Sequence, residues 1–297
     1  MENRRVIALG FFDGVHRGHA ALLDRARRAA DELGVPAAVL TFDLHPDALV
    51  LGKKPELINS MEDREDLLLG QFGMDELLVM HFTDHVRHMP WRSFVEDYLI
   101  REHGAAHLVC GHDFRFGENG EGTAALLAER CGEKGVGCDI IPAVTMDGVL
   151  ISSTYIRSLL AEGDLERANR FLGHPHLLSG TVCRGRQLGA SIGIPTANIS
   201  IPAGVLTPAL GVYASRVTLP DGTTRTAVTN IGTRPTADNG SDVTVESWLQ
   251  DFAGDLYGSR IRLELFRRLR PERRFDSLEE LAAEIRRNAE EARVLLS

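Results

Sequence analysis

The chain has 297 residues, of which 43% are hydrophobic and 25% charged, with a formal net charge of -9. At that length one core usually gives way to two, so two domains are expected. No apolar run approaches the roughly 20 residues that cross a bilayer, and the acidic balance argues against broad nucleic-acid binding while leaving room for a local basic pocket. The start of the chain passes into a strand pattern without the apolar segment of a secretory signal, so a cytoplasmic location is expected. Cys110, Cys131, Cys138 and Cys183 form no CxxC pair and no disulfide framework, and are expected to be buried free thiols.

The first half alternates strand and helix signals. Val6 to Phe11 reads as a buried strand, Ala20 to Leu33 as a helix with an apolar face closed by Gly34, and Ala37 to Phe42 as a second buried strand. Helical patterns over Glu62 to Phe72, Ser93 to Arg101 and Thr123 to Glu133 interleave with strand patterns at Glu76 to Phe82, Leu108 to Gly111 and Cys138 to Ile141. This rhythm predicts a parallel sheet covered on both faces. Two short helices follow, Ser152 to Leu160 and Leu165 to Leu172, the second capped by Asp164.

Beyond His174-Pro175-His176 the rhythm changes. Short β-rich runs at Leu178 to Cys183, Val212 to Leu219, Thr224 to Ile231, Val243 to Leu249 and Ile261 to Phe266 are punctuated by the turns Pro220-Asp221-Gly222 and Asp238-Asn239-Gly240. They predict a small antiparallel barrel. A helix from about Leu278 to Leu295 closes the chain, with Leu281, Ile285, Ala289 and Ala292 close to one face. The two domains are therefore expected at 1–175 and 176–297.

Residues 10 to 19 read Gly-Phe-Phe-Asp-Gly-Val-His-Arg-Gly-His. Gly10 and Gly14 surround the end of the first strand, where missing side chains let backbone amides approach a phosphate. His16 and His19, three apart at the start of a helix, can face one point, and the helix N-terminus favours anionic oxygens. Such a cluster can hold a triphosphate and stabilise charge as it is attacked. A strand-to-helix turn with structural histidines is the plainer alternative.

This segment, with Phe12 and Asp13 inside it, resembles the GxFDGxHxGH signature of the nucleotidyltransferase superfamily. The whole chain resembles the prokaryotic bifunctional riboflavin kinase and FAD synthetase family. The resemblance implies a Rossmann-type α/β nucleotidyltransferase-like domain followed by a small antiparallel β-barrel riboflavin kinase-like domain with a C-terminal helix. It implies that His16 and His19 contact ATP phosphates. Ile151 to Arg157 matches the second phosphate motif, in which Ser153 and Thr154 donate at a helix start and Arg157 offers its donor fork. Thr41-Phe42-Asp43-Leu44-His45-Pro46 and Gly111 to Gly117 match further segments. There Phe42, Phe114 and Phe116 are expected to line a ring pocket, Asp113 to orient a ribityl, ribose or base group, and His45 to be a further nucleotide- or flavin-binding residue.

In the second half, Gly193-Ile194-Pro195-Thr196-Ala197-Asn198 resembles the Pro-Thr-Ala-Asn motif of riboflavin kinases. Thr196 and Asn198 are hard oxygen donors that the resemblance assigns to Mg²⁺ and ATP. Asn230 lies in a further kinase motif, and Glu246 falls on the catalytic-base position, to accept the riboflavin 5'-hydroxyl proton. Family members often carry Arg-Gly-Arg shortly before Pro-Thr-Ala-Asn. Here Leu188-Gly189-Ala190 stands there, with positive charge upstream at Arg184 and Arg186. Trp248 replaces a polar residue and Asn288 an acidic one. The resemblance therefore implies a bifunctional enzyme using ATP, riboflavin and FMN with Mg²⁺ to give FAD, working on small molecules as a monomer or weak homo-oligomer. The alternatives are an FAD synthetase with a weak or inactive kinase-like domain, a transferase with another acceptor, and a non-catalytic flavin-binding module.

Overall fold

The structure is a computed structural model that describes residues 4–45, 55–185, 193–235 and 241–297. The chain forms two compact units. One comprises Met1–Glu56 and Arg64–Ser152, the other Leu57–Asp63 and Ser153–Ser297.

The first unit follows the pattern β1 (Arg5–Leu9), α1 (Arg17–Leu33), β2 (Ala37–Phe42), α2 (Met61–Glu65, at the point where the two units exchange chain), β3 (Glu76–Met80), α3 (Asp84–Arg87), α4 (Trp91–Ser93) and β4 (Ala105–Gly111). Then come the hairpin strands β5 (Arg115–Phe116) and β6 (Gly122–Thr123), α5 (Ala124–Glu133), β7 (Gly137–Ile141), and the hairpin β8 (Thr145–Met146) and β9 (Val149–Leu150). Helices α2 and α4 run on into wider turns over Asp66–Gln71 and Phe94–Glu102, where Phe72 N–H donates to Leu67 O and His103 N–H to Tyr98 O.

The central sheet is parallel, in the order β3-β2-β1-β4-β7. Strands β1 and β2 are buried at every residue, which is why they read as unbroken apolar runs. On one face Ile7, Leu9, Ala38, Leu40 and Leu108 meet Phe94, Val95, Leu99 and Leu127. Helix α1 packs on β1, β2 and β4, burying Leu22, Leu23, Ala26, Ala29 and Ala30. The strand order reverses at β1, between β2 and β4, and ligands of such sheets bind beyond the strand C-termini at that reversal.

The second unit contains α6 (Ser153–Glu162), α7 (Leu165–Leu172), β10 (His176–Cys183), β11 (Ala197–Ser200), β12 (Gly211–Thr218), β13 (Thr224–Pro235), β14 (Ser241–Leu249), β15 (Arg260–Arg270) and α8 (Leu278–Leu296). Its six strands close an antiparallel barrel in the order β10-β11-β14-β13-β12-β15. Inside it, Ser215, Thr229 and Ser247 hydroxyls form a ladder with 2.7 Å between neighbours, satisfying one another where water cannot reach. On the outer face Val212, Ala214 and Val228 pack against Ala289 and Ala292 of α8. Segment Leu57–Asp63 joins this unit: buried Asp63 accepts Ser179 N–H at 3.3 Å and Arg260 Nη2 at 3.2 Å.

Several expectations are corrected. Strand β1 ends at Leu9, not Phe11, because the chain turns left-handed at Phe12 (φ 58°) and Gly14 (φ 80°). Helix α1 begins at Arg17, not Ala20, because the His16 side chain supplies its N-cap. Thr123 is the cap of α5 rather than its first residue, its Oγ1 accepting Leu126 N–H at 3.2 Å. Strand β11 and two short hairpins were too brief to leave an alternation signal. The four thiols are free, but Cys183 is exposed, turned outward by the alternation at the end of β10, and Cys138 is half-buried on the edge strand β7, packed against the core. The buried stripe of α8 includes the polar Glu284 and Asn288, which meet arginines described below. The Asp238-Asn239-Gly240 turn lies outside the described residues.

Candidate active site

Beyond β1 the backbone makes one tight turn over Asp13–Val15, and Val15 N–H donates to Phe12 O at 3.1 Å. Gly14 takes the left-handed conformation that a side chain would strain, and Val15 tolerates φ 39°, a cost that structures retain mainly at ligand loops. His16 is extended and caps α1: its Nδ1 accepts His19 N–H at 3.2 Å. That bond leaves the proton of neutral His16 on Nε2. The two imidazoles stack with centroids 3.6 Å apart and planes at 9°. His19 Nδ1 is shut from water without a hydrogen-bond partner. Burial first, then the nearby His16 and Arg64, hold His19 well below the ordinary histidine pKa, so its ring is neutral at pH 7.

Arg64 is a residue that sequence reasoning missed. It is 1% exposed. Its Nη1 donates to Phe11 O at 3.0 Å, Thr41 Oγ1 at 3.2 Å and Phe42 O at 3.3 Å, and its guanidinium lies 4.2 Å above the Phe11 ring. Burial lowers its pKa to about 10 against the opposing charge of Asp13, so it remains a cation at pH 7. One buried cation thus ties together the ends of β1 and β2 and sits in the field of buried Asp13. Nothing local marked it, because an arginine in a helical Met-Glu-Asp-Arg run is ordinarily solvated.

A cavity of about 370 Å³ opens nearby, lined by Phe42, Phe82, Met89, Phe94 and Phe116 with Arg87, Arg115 and Asn119 at its polar edge. Phe114 is not on its wall; it stacks behind Phe116 with centroids 5.5 Å apart. His45 stands edge-on to Phe11 at 4.7 Å, and Asp113 is exposed just beyond β4. The structure therefore brings Phe42 and Phe116 into one wall, and His16, His19, Gly14 and Asp13 into one turn. Ser153 opens α6 in the second unit, with Arg157 Nη2 donating to Thr154 Oγ1 at 3.2 Å.

In the barrel the site is made by register. Asn198 on β11 is paired with Glu246 on β14, and Glu246 in turn with Asn230 on β13. Directly opposed residues share a face, so the three side chains form a row across neighbouring strands. Asn230 is opposite Val212 on β12, and Val212 opposite Arg270 on β15, which extends the row. Glu246, Asn230, Thr196, Trp248, Arg270 and Phe275 line a cavity of about 320 Å³ beneath Leu281 and Ile285 of α8. Thr196 also borders a second cavity of about 240 Å³, with Pro195, Asp255 and Tyr257. Gly185 lies so close to Asn198 that a Cβ there would fall 2.3 Å from the amide, so a side chain at 185 would displace the Asn198 amide.

Among the other expected residues, Gly193 adopts φ 72° ahead of β11, and Arg184 places its guanidinium 5.7 Å above the Tyr257 ring. Arg186 and Leu188-Gly189-Ala190 lie outside the described residues. Sequence reasoning missed Arg270, Arg273 and Phe275. The signal was the cationic and aromatic cluster Arg270-Pro-Glu-Arg-Arg-Phe275 between the last strand and the last helix. Among the described residues no group of three or more His, Cys, Asp or Glu could hold a metal ion; Thr196 and Asn198 offer neutral oxygens of the kind a hard cation takes.

Comparison with known proteins assigns the two halves of the chain to two families. Residues 1–155 match the family described as FAD synthetase, and residues 172–296 the family described as riboflavin kinase. The bifunctional riboflavin kinase/FMN adenylyltransferase of Listeria monocytogenes is 34% identical over 99% of this chain and 93% of its own length. The protein of the same name from Bacillus subtilis is 36% identical over 97% and 92%, and that from Escherichia coli 38% identical over 97% and 91%. A crystal structure from Streptococcus pneumoniae, titled a macrolide-efflux protein, matches with TM-score 0.87 and 30% identity over 99% of this chain and 95% of that one. Among the described residues of the present chain no helix is long and apolar enough to cross a membrane.

Proposed function

Because the chain belongs to the bifunctional riboflavin kinase/FMN adenylyltransferase family, we propose that residues 176–297 phosphorylate riboflavin to FMN with ATP and that residues 1–175 transfer the adenylyl group of a second ATP to FMN, giving FAD and pyrophosphate. The observation that carries the kinase half is the register row Asn198–Glu246–Asn230, whose Glu246 and Asn230 stand with Thr196 on the wall of one cavity. Glu246 accepts the proton of the riboflavin 5'-hydroxyl as that oxygen bonds to the γ-phosphorus of ATP and the bond to ADP breaks. Thr196 and Asn198 would hold Mg²⁺ against the phosphates, and their hard oxygens and the close-packed Gly185 fit that use. When bound, the ion supplies neutralisation of phosphate charge. Asn230 orients the nucleophile.

In adenylyl transfer, an FMN phosphate oxygen attacks the α-phosphorus of ATP and pyrophosphate leaves. The nucleophile is already anionic, so the site's work is alignment and charge neutralisation. The amides of the Gly10–Gly14 turn and the N-terminus of α1 receive the triphosphate. His19, neutral before binding, gains a reason to take up a proton when phosphate oxygens arrive beside it. Ser153, Thr154 and Arg157 carry the family's second phosphate motif. Phe42 and Phe116 line the place of the flavin ring, with Arg115 at its edge. Asp13 and Arg64 hold the turn in shape, and Arg184 and Tyr257 border the kinase nucleotide. A cytoplasmic location, with small flavins and nucleotides as the partners, completes the reading.

The test is product analysis with purified protein, ATP and Mg²⁺, supplying riboflavin and FMN separately. Riboflavin should yield FMN and FAD, and FMN should yield FAD. FAD from FMN alone would mean a kinase-like domain without turnover; no product from either would remove the flavin assignment.

A further inference from the structure

Strand β15 ends at Arg270 and α8 begins at Leu278, and the connection between them forms part of the wall of the Glu246 cavity through Arg273 and Phe275. The Phe275 ring lies 5.4 Å from the Arg270 guanidinium and 4.7 Å from that of Arg273. Both arginines meet one carboxylate on α8. Glu284 is 6% exposed, with Oε1 3.3 Å from Arg270 Nε and 2.6 Å from Arg287 Nη2, and Oε2 3.0 Å from Arg273 Nη2. Asn288, one turn on, accepts Arg270 Nε at 3.0 Å but brings no charge. Glu284 does not line the cavity itself.

We propose that Glu284 is a positioning residue for riboflavin: by holding Arg270 and Arg273 it fixes Phe275 as a wall of the flavin site. The proposal rests on the assignment of the Glu246 cavity to riboflavin. Three guanidiniums share this one buried anion, so a neutral side chain at 284 leaves their mutual repulsion offset only by Glu272, the last and smallest of the charges acting on Arg270. Burial already lowers the Arg270 pKa; Glu284 opposes that shift, while Arg273 and Arg287 add to it. The connection relieves this repulsion by swinging Arg273 outward, and Phe275 loses one of its two cationic neighbours. Glu246 and the cavity beside Tyr257 are untouched by that movement, so riboflavin binding suffers and ATP binding does not.

The experiment is steady-state kinetics of riboflavin phosphorylation for Glu284→Gln, Glu284→Asp and Phe275→Ala, with melting temperature and FMN adenylylation measured on the same preparations. Glu284→Gln should raise the riboflavin KM by about tenfold while kcat and the ATP KM stay within about twofold, because only substrate positioning is lost. Glu284→Asp, which keeps the charge, should restore most of the affinity. A purely structural residue would lower the melting temperature without this KM split, and that result overturns the proposal. Phe275→Ala separates the two levels of the claim. If it raises the riboflavin KM while Glu284→Gln does not, the positioning role fails alone; if it leaves the KM unchanged, the cavity assignment fails and the proposal with it. Should Glu284→Gln not fold, Arg273→Gln removes one clamp from the exposed side and should raise the KM by about threefold; an unchanged KM there also overturns the proposal.

Discussion

The two sites are built by opposite means. In the parallel sheet, the phosphate turn is a single contiguous stretch from Gly10 to His19, because a parallel strand delivers its ligand groups to the loop at its own C-terminal end. In the barrel, Asn198, Asn230, Glu246 and Arg270 are scattered over some seventy positions and are aligned only when β11, β13, β14, β12 and β15 pair in register. The turn itself does not depend on the register of one strand against its neighbour. The barrel site does, because a one-residue slip of β14 would turn Glu246 into the barrel and Ser247 or Val245 out of it.

The largest expected effect separates the two sites chemically. Glu246→Gln should lower kcat for riboflavin phosphorylation by about 10²–10⁴, the usual worth of a positioned base, and leave FMN adenylylation within about twofold. Equal loss of both activities would contradict two independent sites. Next comes His16→Asn, which retains an N-cap of the preferred kind for α1 while removing the imidazole. FAD formation should fall by about 10² with the melting temperature and kinase activity preserved; a drop in melting temperature with unchanged FAD formation would make His16 a cap and nothing more. Phe116→Ala should raise the FMN KM of adenylylation by about tenfold and leave the riboflavin KM unchanged, since its ring lines the cavity of the first unit only.

The smallest effect concerns the barrel's own stability. Burial, followed by the neighbouring His174, takes His176 from the ordinary 6.5 to about 3. Above pH 6.5 the ring is neutral folded or unfolded, so it contributes no pH dependence there. As pH falls from 6.5 toward 3, only the unfolded chain takes up the proton, and the barrel loses up to about 1.4 kcal/mol per pH unit from this group. Denaturant unfolding of wild type and His176→Leu across pH 4 to 7 should show the variant losing stability less steeply. Parallel slopes would remove His176 from the account.

Much of the first unit was legible because its signals are local. The buried runs Val6–Leu9 and Ala37–Phe42, the glycines at 10 and 14, and the histidine spacing all lie within a few residues of the chemistry they serve. Arg64 was not legible, since its acceptors are the carbonyls of Phe11 and Phe42, far away in sequence. Thr196 and Asn198 could be named from their motif, but strand β11 is four residues long, too short for alternation to declare it. In α8 the apolar stripe was readable, whereas burial of Glu284 and Asn288 within it depended on arginines arriving from β15 and its following connection.

The sequence by itself determined the order of the two folds, the Gly10–His19 turn, and the residue types able to bind phosphate and accept a proton, because strand and helix periodicity and turn chemistry act over a few residues. Tertiary structure alone decided which of those residues meet. Strand pairing sets the row Asn198–Glu246–Asn230, and burial converts Arg64 and Glu284 from ordinary surface charges into organisers of the two sites. Both depend on contacts between residues tens of positions apart, which no local pattern encodes.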